Sequence, residues 1–220
     1  MKQDQTFVIR QETPADYRAV EHLTREAFWN QNVPGCDEHY YLHCLRRHKD
    51  YLPALSFVLE TESGIVASVH SSRAWLRAAD GTEKEIATFG PFSVLPAFQR
   101  RGFGGALLKH LLAAAEAAGT EALVIFGNPD NYVSRGFVSC AKYGISMEGG
   151  FLPAAMLVKE LAAGALAGKQ WVFREHDAGA CLENEAAMQA FDTEFPPKQK
   201  AWQPSQEEFF IHSHSLISLQ

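Results

Sequence analysis

Gln99, Arg100, Arg101, Gly102, Phe103, Gly104 and Gly105 stand together between an extended apolar segment and an alanine-rich helical pattern, and their types suit the binding of a phosphate. The start of a helix exposes unpaired backbone N–H groups at the positive end of the aligned peptide dipoles. Glycines let an anion approach that backbone, and adjacent arginines add charge. A phosphorylated cofactor is therefore the expected ligand. Two familiar phosphate loops do not fit. Leu107 stands three residues after Gly104, so the dinucleotide pattern Gly-x-Gly-x-x-Gly is absent, and the preceding strand is not the first of a βαβ unit near the amino terminus. Between Gly164 and Gly168 lie three residues rather than the four of a P-loop, and Gln170 stands where Ser or Thr would hold magnesium.

The elements that must position this turn follow from hydrophobic spacing. Residues 7–10 read as a strand. Thr13 precedes Pro14 as a helix N-cap, opening an amphipathic helix to about residue 28 with Val20, Leu23 and Ala27 on its buried stripe. A second helix is expected over 37–48, after a turn at Pro34 and Gly35. Residues 56–60, 65–76 and 85–95 read as successive antiparallel strands joined at Ser63-Gly64 and Asp80-Gly81. After Pro96 and the glycine-rich turn comes a helix whose Leu107, Leu108, Leu111, Leu112 and Ala115 face a core and which ends at Gly119. The continuous apolar run 122–126 suits a strand buried on both faces, reached by a parallel crossover, so the turn lies at the carboxyl end of a strand. Residues 137–140 and 156–161 read as further strands. Beyond 163 the pattern changes to a strand at 171–174, a helix over 183–191 and a segment holding Phe195, Pro196, Pro197 and Pro204. The expected organisation is a main domain over 1–163, of α/β (α+β) class, with an extension over 164–220 packed on it.

Composition bounds the function. The 220 residues, 46% hydrophobic, can bury a sizeable core, and the net charge of −6 supplies no basic field for a nucleic-acid backbone or an anionic membrane. The first eleven residues carry charges and only a short apolar run, and nowhere do about 18 apolar residues follow one another, so a cytoplasmic protein is expected. Cys36, Cys44, Cys140 and Cys181 lack paired spacing and read as reduced thiols.

The segment Gln99, Arg100, Arg101, Gly102, Phe103, Gly104 resembles the pyrophosphate loop of the GCN5-related N-acetyltransferase (GNAT) superfamily. The resemblance continues upstream into Phe89 to Pro96 and downstream from Asn128 through Tyr132 to Gly136 and Phe137, and the order of elements suits the family over roughly the first three quarters of the chain. The nearest likeness is to uncharacterised bacterial members with a similar tail. It implies a mixed, mostly antiparallel central sheet flanked by helices, and an acetyl-CoA-dependent N-acetyltransferase. On that reading backbone N–H groups from Arg101 to Ala106, taking in Gly102, Phe103, Gly104 and Gly105, hold the pyrophosphate, while Gln99, Arg100 and Arg101 complete the loop. The edge at Phe92, Ser93 and Val94 pairs with the pantetheine arm. Asn128 joins the cofactor-binding set.

Transfer to an amine needs a neutral nitrogen, stabilisation of the tetrahedral oxyanion and a proton or hydrogen bond for the thiolate. The resemblance makes Tyr132, four residues before Gly136, the general acid, and the Val94 N–H the oxyanion donor. A phenol of pKa about 10 facing a thiolate of about 8.5 is uphill by about 2 kcal/mol, which strong hydrogen bonding without complete transfer can meet. The base is unassigned: Thr88, Gly90 and Phe92 offer no carboxylate, Glu85 lies too far along the strand, and His70 and Ser72 on the preceding strand could reach the cleft through water or be ordinary sheet residues. Cys36, His39, His43, Cys44 and His48 crowd one short helix, but five such groups cannot converge on one tetrahedral centre, and no metal is expected. Trp29, Tyr40 and Tyr41 either wall the acceptor cleft or belong to the core. Cys140, in a strand with no adjacent histidine, reads as a core residue, which favours direct attack by the amine. The acceptor, a small-molecule or protein amine, is open. Other acyl-CoA donors and a non-catalytic acyl-CoA sensor are the alternatives, and residues 209–217 suggest a homodimer.

Overall fold

β-rich runs broken by two glycine turns fold as the expected meander in the computed structural model, which describes residues 6–217; Met1 to Gln5, part of the charged amino-terminal stretch, lie outside them. The strands are β1 (Val8–Gln11), β2 (Phe57–Thr61), β3 (Gly64–Ala78) and β4 (Glu83–Val94). Gly64 and Gly81 adopt φ of +91° and +86°, which only glycine takes without strain, and the Asp80 carboxylate accepts from Thr82 N at 2.9 Å to close the second turn. Helices α1 (Tyr17–Phe28) and α2 (Glu38–Leu45) lie between β1 and β2. The single helix expected over 13–28 begins instead as a 3-10 turn, Pro14–Asp16, because the Asp16 carboxylate accepts from Thr13 N at 2.8 Å and so caps the first turn. Val20 and Leu23 are buried as expected and Ala27 only partly. The same face also buries Glu21, Thr24 and Arg25, a polar content that hydrophobic spacing does not register.

Helix α3 (Phe103–Ala117) buries Leu107, Leu108, Leu111 and Ala115, with Leu112 partly covered, and stops where Gly119 (φ +78°) and Thr120 donate back to Glu116 O and Ala115 O. Strand β5 (Ala122–Phe126) follows, parallel to β4 at Ala87↔Leu123. Next come α4 (Pro129–Tyr132), β6 (Val138–Ser139), β7 (Ile145–Ser146), β8 (Met156–Glu160), β9 (Trp171–Glu175), α5 (Glu185–Asp192) and α6 (Pro204–His214). The hydrogen-bonded path through the sheet is β1-β2-β3-β4-β5-β8-β6, with β9 on β3 and β7 on β9. The pairs β1–β2, β2–β3, β3–β9, β5–β8 and β6–β8 are antiparallel, whereas β4–β5 and β7–β9 are parallel.

Contacts divide the chain into two units. The first contains the described residues up to Ser71, then Gly90–Ala114 and Asp177–Gln203; the second contains Ser72–Phe89, Ala115–His176 and the residues from Pro204 on. The boundary read from the change of pattern after residue 163 does not coincide with this division. Residues 171–175 extend the sheet by pairing with Ala74–Ala78, and 177–203 wrap onto the first unit. Within that unit Arg25 donates to Asp192 and to Pro196 O, Trp29 Nε1 and Asn30 Nδ2 donate to Gln199 O, and Lys198 binds Glu26. Such pairs leave no local pattern, because what they satisfy lies far along the chain. Among the described residues no helix is long and apolar enough to cross a membrane.

Candidate active site

The candidate phosphate-binding turn is built in the first unit, where β4 gives way to α3. Gln99 Nε2 donates to Val94 O at 3.0 Å and folds the loop back on the strand end. Arg100 and Gly102 take φ of +59° and +96°, turning the chain so that Phe103 to Gly105 open the helix. Ala106 N is the first to donate back, to Gly102 O at 3.0 Å, so the N–H groups of Phe103, Gly104 and Gly105 are the first-turn donors that a helix cannot satisfy by itself. The two glycines differ in purpose. A Cβ at Gly104 would lie 3.3 Å from Val94 Cγ2 and 3.7 Å from the Phe92 ring, so this glycine brings helix and strand together. At Gly102 nothing lies within 4 Å, and its requirement is the positive φ. The Arg101 guanidinium, exposed, stacks 5.1 Å from the Phe98 ring centre and 5.8 Å from that of Phe103. Ser93 is buried and donates from Oγ to Thr24 Oγ1 at 3.2 Å.

Tyr132 belongs to the second unit. Asn128 Oδ1 accepts from Asp130 N at 3.0 Å and caps the short helix that ends at Tyr132, so its side chain positions that residue. The Tyr132 ring packs 5.9 Å from Phe89 and 5.7 Å from Phe137. Burial pushes its phenol up to about 12, and its hydroxyl makes no hydrogen bond to a described residue. Gly136, with φ +87°, turns the chain after it.

The other residues singled out by type are dispersed. Cys36 donates to Glu38, His39 Nε2 lies 3.1 Å from Asp192, His43 Nδ1 lies 3.0 Å from Glu21 and His48 Nε2 lies 2.9 Å from Asp177. Four separate carboxylates thus take these groups apart, and among the described residues no set of three or more gathers into a metal site. Trp29 lies under Arg25, Tyr40 packs on Phe191 and Tyr41 on the cluster of Leu45, Tyr51 and Ala178. Cys140 is fully buried and burial pushes its thiol up, as suits a core residue.

Three features had no signal in the sequence. Burial pushes the Glu38 carboxyl up to about 7, with Asn32 donating to it at 2.6 Å. His176 meets Ser72 Oγ at 2.7 Å across 104 residues of chain. Glu12, with its side chain 1% exposed, is gripped by Arg46 at 2.5 and 3.1 Å. Each depends on an environment assembled from distant segments.

A family profile described as Acetyltransferase (GNAT) family matches residues 18–141. That span exceeds half of the 220 residues, and the protein belongs to the GNAT acetyltransferase family. Among solved structures the chain is similar to a GNAT-family N-acetyltransferase (YhbS) from Escherichia coli in complex with CoA, at TM-score 0.68 and 22% identity over 80% of this chain and 93% of that one. It is similar also to a GNAT-family acetyltransferase from Brucella melitensis in complex with acetyl-CoA, at TM-score 0.60 and 26% identity over 80% and 99%. The ribosomal-protein-S18-alanine N-acetyltransferase from Escherichia coli shares the fold at TM-score 0.51 and 20% identity over 71% and 95%. No curated protein matches the chain.

Proposed function

We propose that this protein transfers the acetyl group of acetyl-CoA directly to a primary amine of a small molecule or protein. The observation that carries the reading is the turn at the end of β4, where positive φ at Arg100 and Gly102 presents the unsatisfied N–H groups of Phe103, Gly104 and Gly105 beside two arginines. The acetyl-CoA complex of the Brucella melitensis relative supports the choice of donor. In this reading the backbone of Phe92, Ser93 and Val94 pairs with the amides of the pantetheine arm, and the Val94 N–H donates to the oxyanion. Tyr132 meets the departing sulfur. With its phenol at about 12, complete proton transfer to a thiolate of about 8.5 would cost about 5 kcal/mol, so its work is a strong hydrogen bond to the developing charge. The buried Cys140 supports a direct transfer over an acyl-enzyme.

Calorimetric titration with acetyl-CoA tests the donor, comparing the wild type with Gly102→Ala and Gly102→Glu. Both variants carry the strain of a side chain at φ +96°, and only Glu adds a negative charge at the anion site. Micromolar binding kept largely in Gly102→Ala and lost in Gly102→Glu supports the reading. A folded wild type that does not bind acetyl-CoA overturns it.

A further inference from the structure

The acetyl-transfer reading lacks a proton acceptor for the amine, and the first unit contains a buried histidine wired for that task. Val58, the partner of Ser68 across β2 and β3, packs with Val20 of α1 and Leu42 of α2, so Ser68 and, two residues on, His70 face the same helices. His70 is fully buried, with Nδ1 3.4 Å from Tyr51 Oη. Tyr51 Oη donates to Glu12 Oε2 at 3.2 Å, and Glu12 is held in the fork of Arg46, which also reaches Glu21 at 2.9 Å. His70 Nε2 and Ser68 Oγ, both buried, have no hydrogen-bond partner among the described residues. A buried polar atom without a partner is uncommon, and here two lie on one face of one strand.

The wiring decides where the imidazole proton sits. Tyr51 has a single hydroxyl proton, and the carboxylate of Glu12 is a stronger acceptor than a neutral imidazole nitrogen. With that proton on Glu12, the Tyr51 oxygen can only accept from Nδ1–H, which leaves Nε2 with an open lone pair. Burial, together with the Arg46 charge, holds His70 well below the usual imidazole range, so it stays neutral. Its place also suits the chemistry. Leu95 N donates to Val66 O at 2.9 Å, and His70, four residues further along β3, therefore runs alongside the stretch of β4 around Pro91, just before Phe92 to Val94, where the pantetheine arm and the acyl oxygen are proposed to bind.

We propose that His70 Nε2 accepts the proton of the acceptor amine, relayed by one water held with Ser68 Oγ, while Tyr51 and Glu12 are positioning residues that keep the imidazole in its Nδ1–H form. The inference rests on the acetyl-transfer reading. As the nitrogen lone pair forms its bond to the acetyl carbon, the N–H becomes strongly acidic and its proton passes through the water to Nε2. The C–S bond breaks with its electron pair going to sulfur, and the imidazolium returns its proton to solvent.

The test uses the full chain with acetyl-CoA and a panel of tyramine, spermidine and a peptide with a free amino terminus, followed by thiol release. His70→Gln is expected to bind acetyl-CoA as the wild type does and to lose about 100-fold or more in kcat near pH 7.5, the scale of a lost general base. That deficit is expected to shrink toward pH 10, where hydroxide can take the proton of the attacking nitrogen in place of the imidazole. Tyr51→Phe is expected to cost about tenfold, as a group acting through its neighbour does. Nitrogen-15 NMR of the imidazole is expected to find Nε2 unprotonated from pH 6 to 8. An unchanged kcat, a deficit constant with pH, or a protonated Nε2 overturns the proposal, and the NMR arm decides it with no acceptor present. Failure of the wild type to bind acetyl-CoA instead overturns the functional reading, whatever His70 does.

Discussion

The Tyr132 ring lies against Gly127 so closely that a Cβ at Gly127 would sit 2.6 Å from Tyr132 Cε2. Gly127, directly after β5, therefore decides where the phenol goes. Gly127→Ala must push the ring aside, because the obstacle is ring carbon packed between Phe89 and Phe137 rather than the free end of a flexible chain. Acetyl-CoA affinity is expected to stay within a few fold, and kcat to fall by about tenfold to 100-fold, a geometric loss. Tyr132→Phe, which keeps the ring and removes the hydroxyl, is expected to match it or exceed it. Steady-state kinetics with calorimetry on both variants checks this; a Gly127→Ala protein with wild-type kcat removes the contact from the argument.

The pH profile should carry the mark of the raised phenol. A group active while protonated is lost as pH rises through its pKa, and burial sets that for Tyr132 at about 12. Activity is expected to rise with pH as the amine is freed of its proton and to show no falling limb below about pH 10.5. A fall between pH 8.5 and 10 that disappears in Tyr132→Phe would show the phenol titrating in the ordinary range.

Arg25 and Asp192 tie α1 to the end of α5. The arginine side chain is 1% exposed and its fork meets Asp192 at 2.6 and 3.1 Å. Burial alone would raise the Asp192 carboxyl, but the Arg25 hydrogen bonds and charge outweigh it and hold it below the usual range. A depressed carboxylate stabilises the fold above its unfolded pKa of about 3.9, and that contribution is lost as pH falls through the lower folded value. Asp192→Asn is expected to cost about 2 kcal/mol at pH 7, less than a fully buried pair because the aspartate reaches solvent. That corresponds to a Tm drop of about 4–8 °C. The gap between variant and wild type should narrow as pH falls below 4, which thermal melts across pH 3–7 will measure.

Helix α6 exposes Phe209, Phe210 and Ile211, with Phe151, Leu216 and Ile217 also open in the same unit. We expect a second copy of the chain to cover this apolar set, since patches of that kind are uncommon on monomers. Light scattering should then give twice the 24.4 kDa of one chain at micromolar concentration, and Phe210→Glu should return it to one. A wild type that stays at one chain mass at about 50 µM discards the expectation.

Much of the frame could be read from local chemistry. The register of leucines in α3, its stop at Gly119, the Asp80-Gly81 turn and the apolar run of β5 are all short-range consequences of side-chain period and of what glycine permits, so the sequence alone determined them. The same holds for the glycine-rich turn and for Tyr132 as the residue to watch, since motif spacing survives without a fold. Tertiary structure decided the rest. Residues 171–174 read as a strand in isolation, but nothing local says that this strand pairs with β3. Nor does any periodicity announce that Arg25 will be buried against Asp192 across 167 residues, or that His176 will meet Ser72 across 104. Asn128 caps the helix of Tyr132, a task that its type and spacing did not announce. His70 was one ambiguous histidine in the sequence, and only its burial, with one nitrogen turned to Tyr51 and the other left without a partner, gives it a chemical direction. Secondary structure and turns answer to neighbours in the chain, whereas burial, charge pairing and proton wiring answer to neighbours in space.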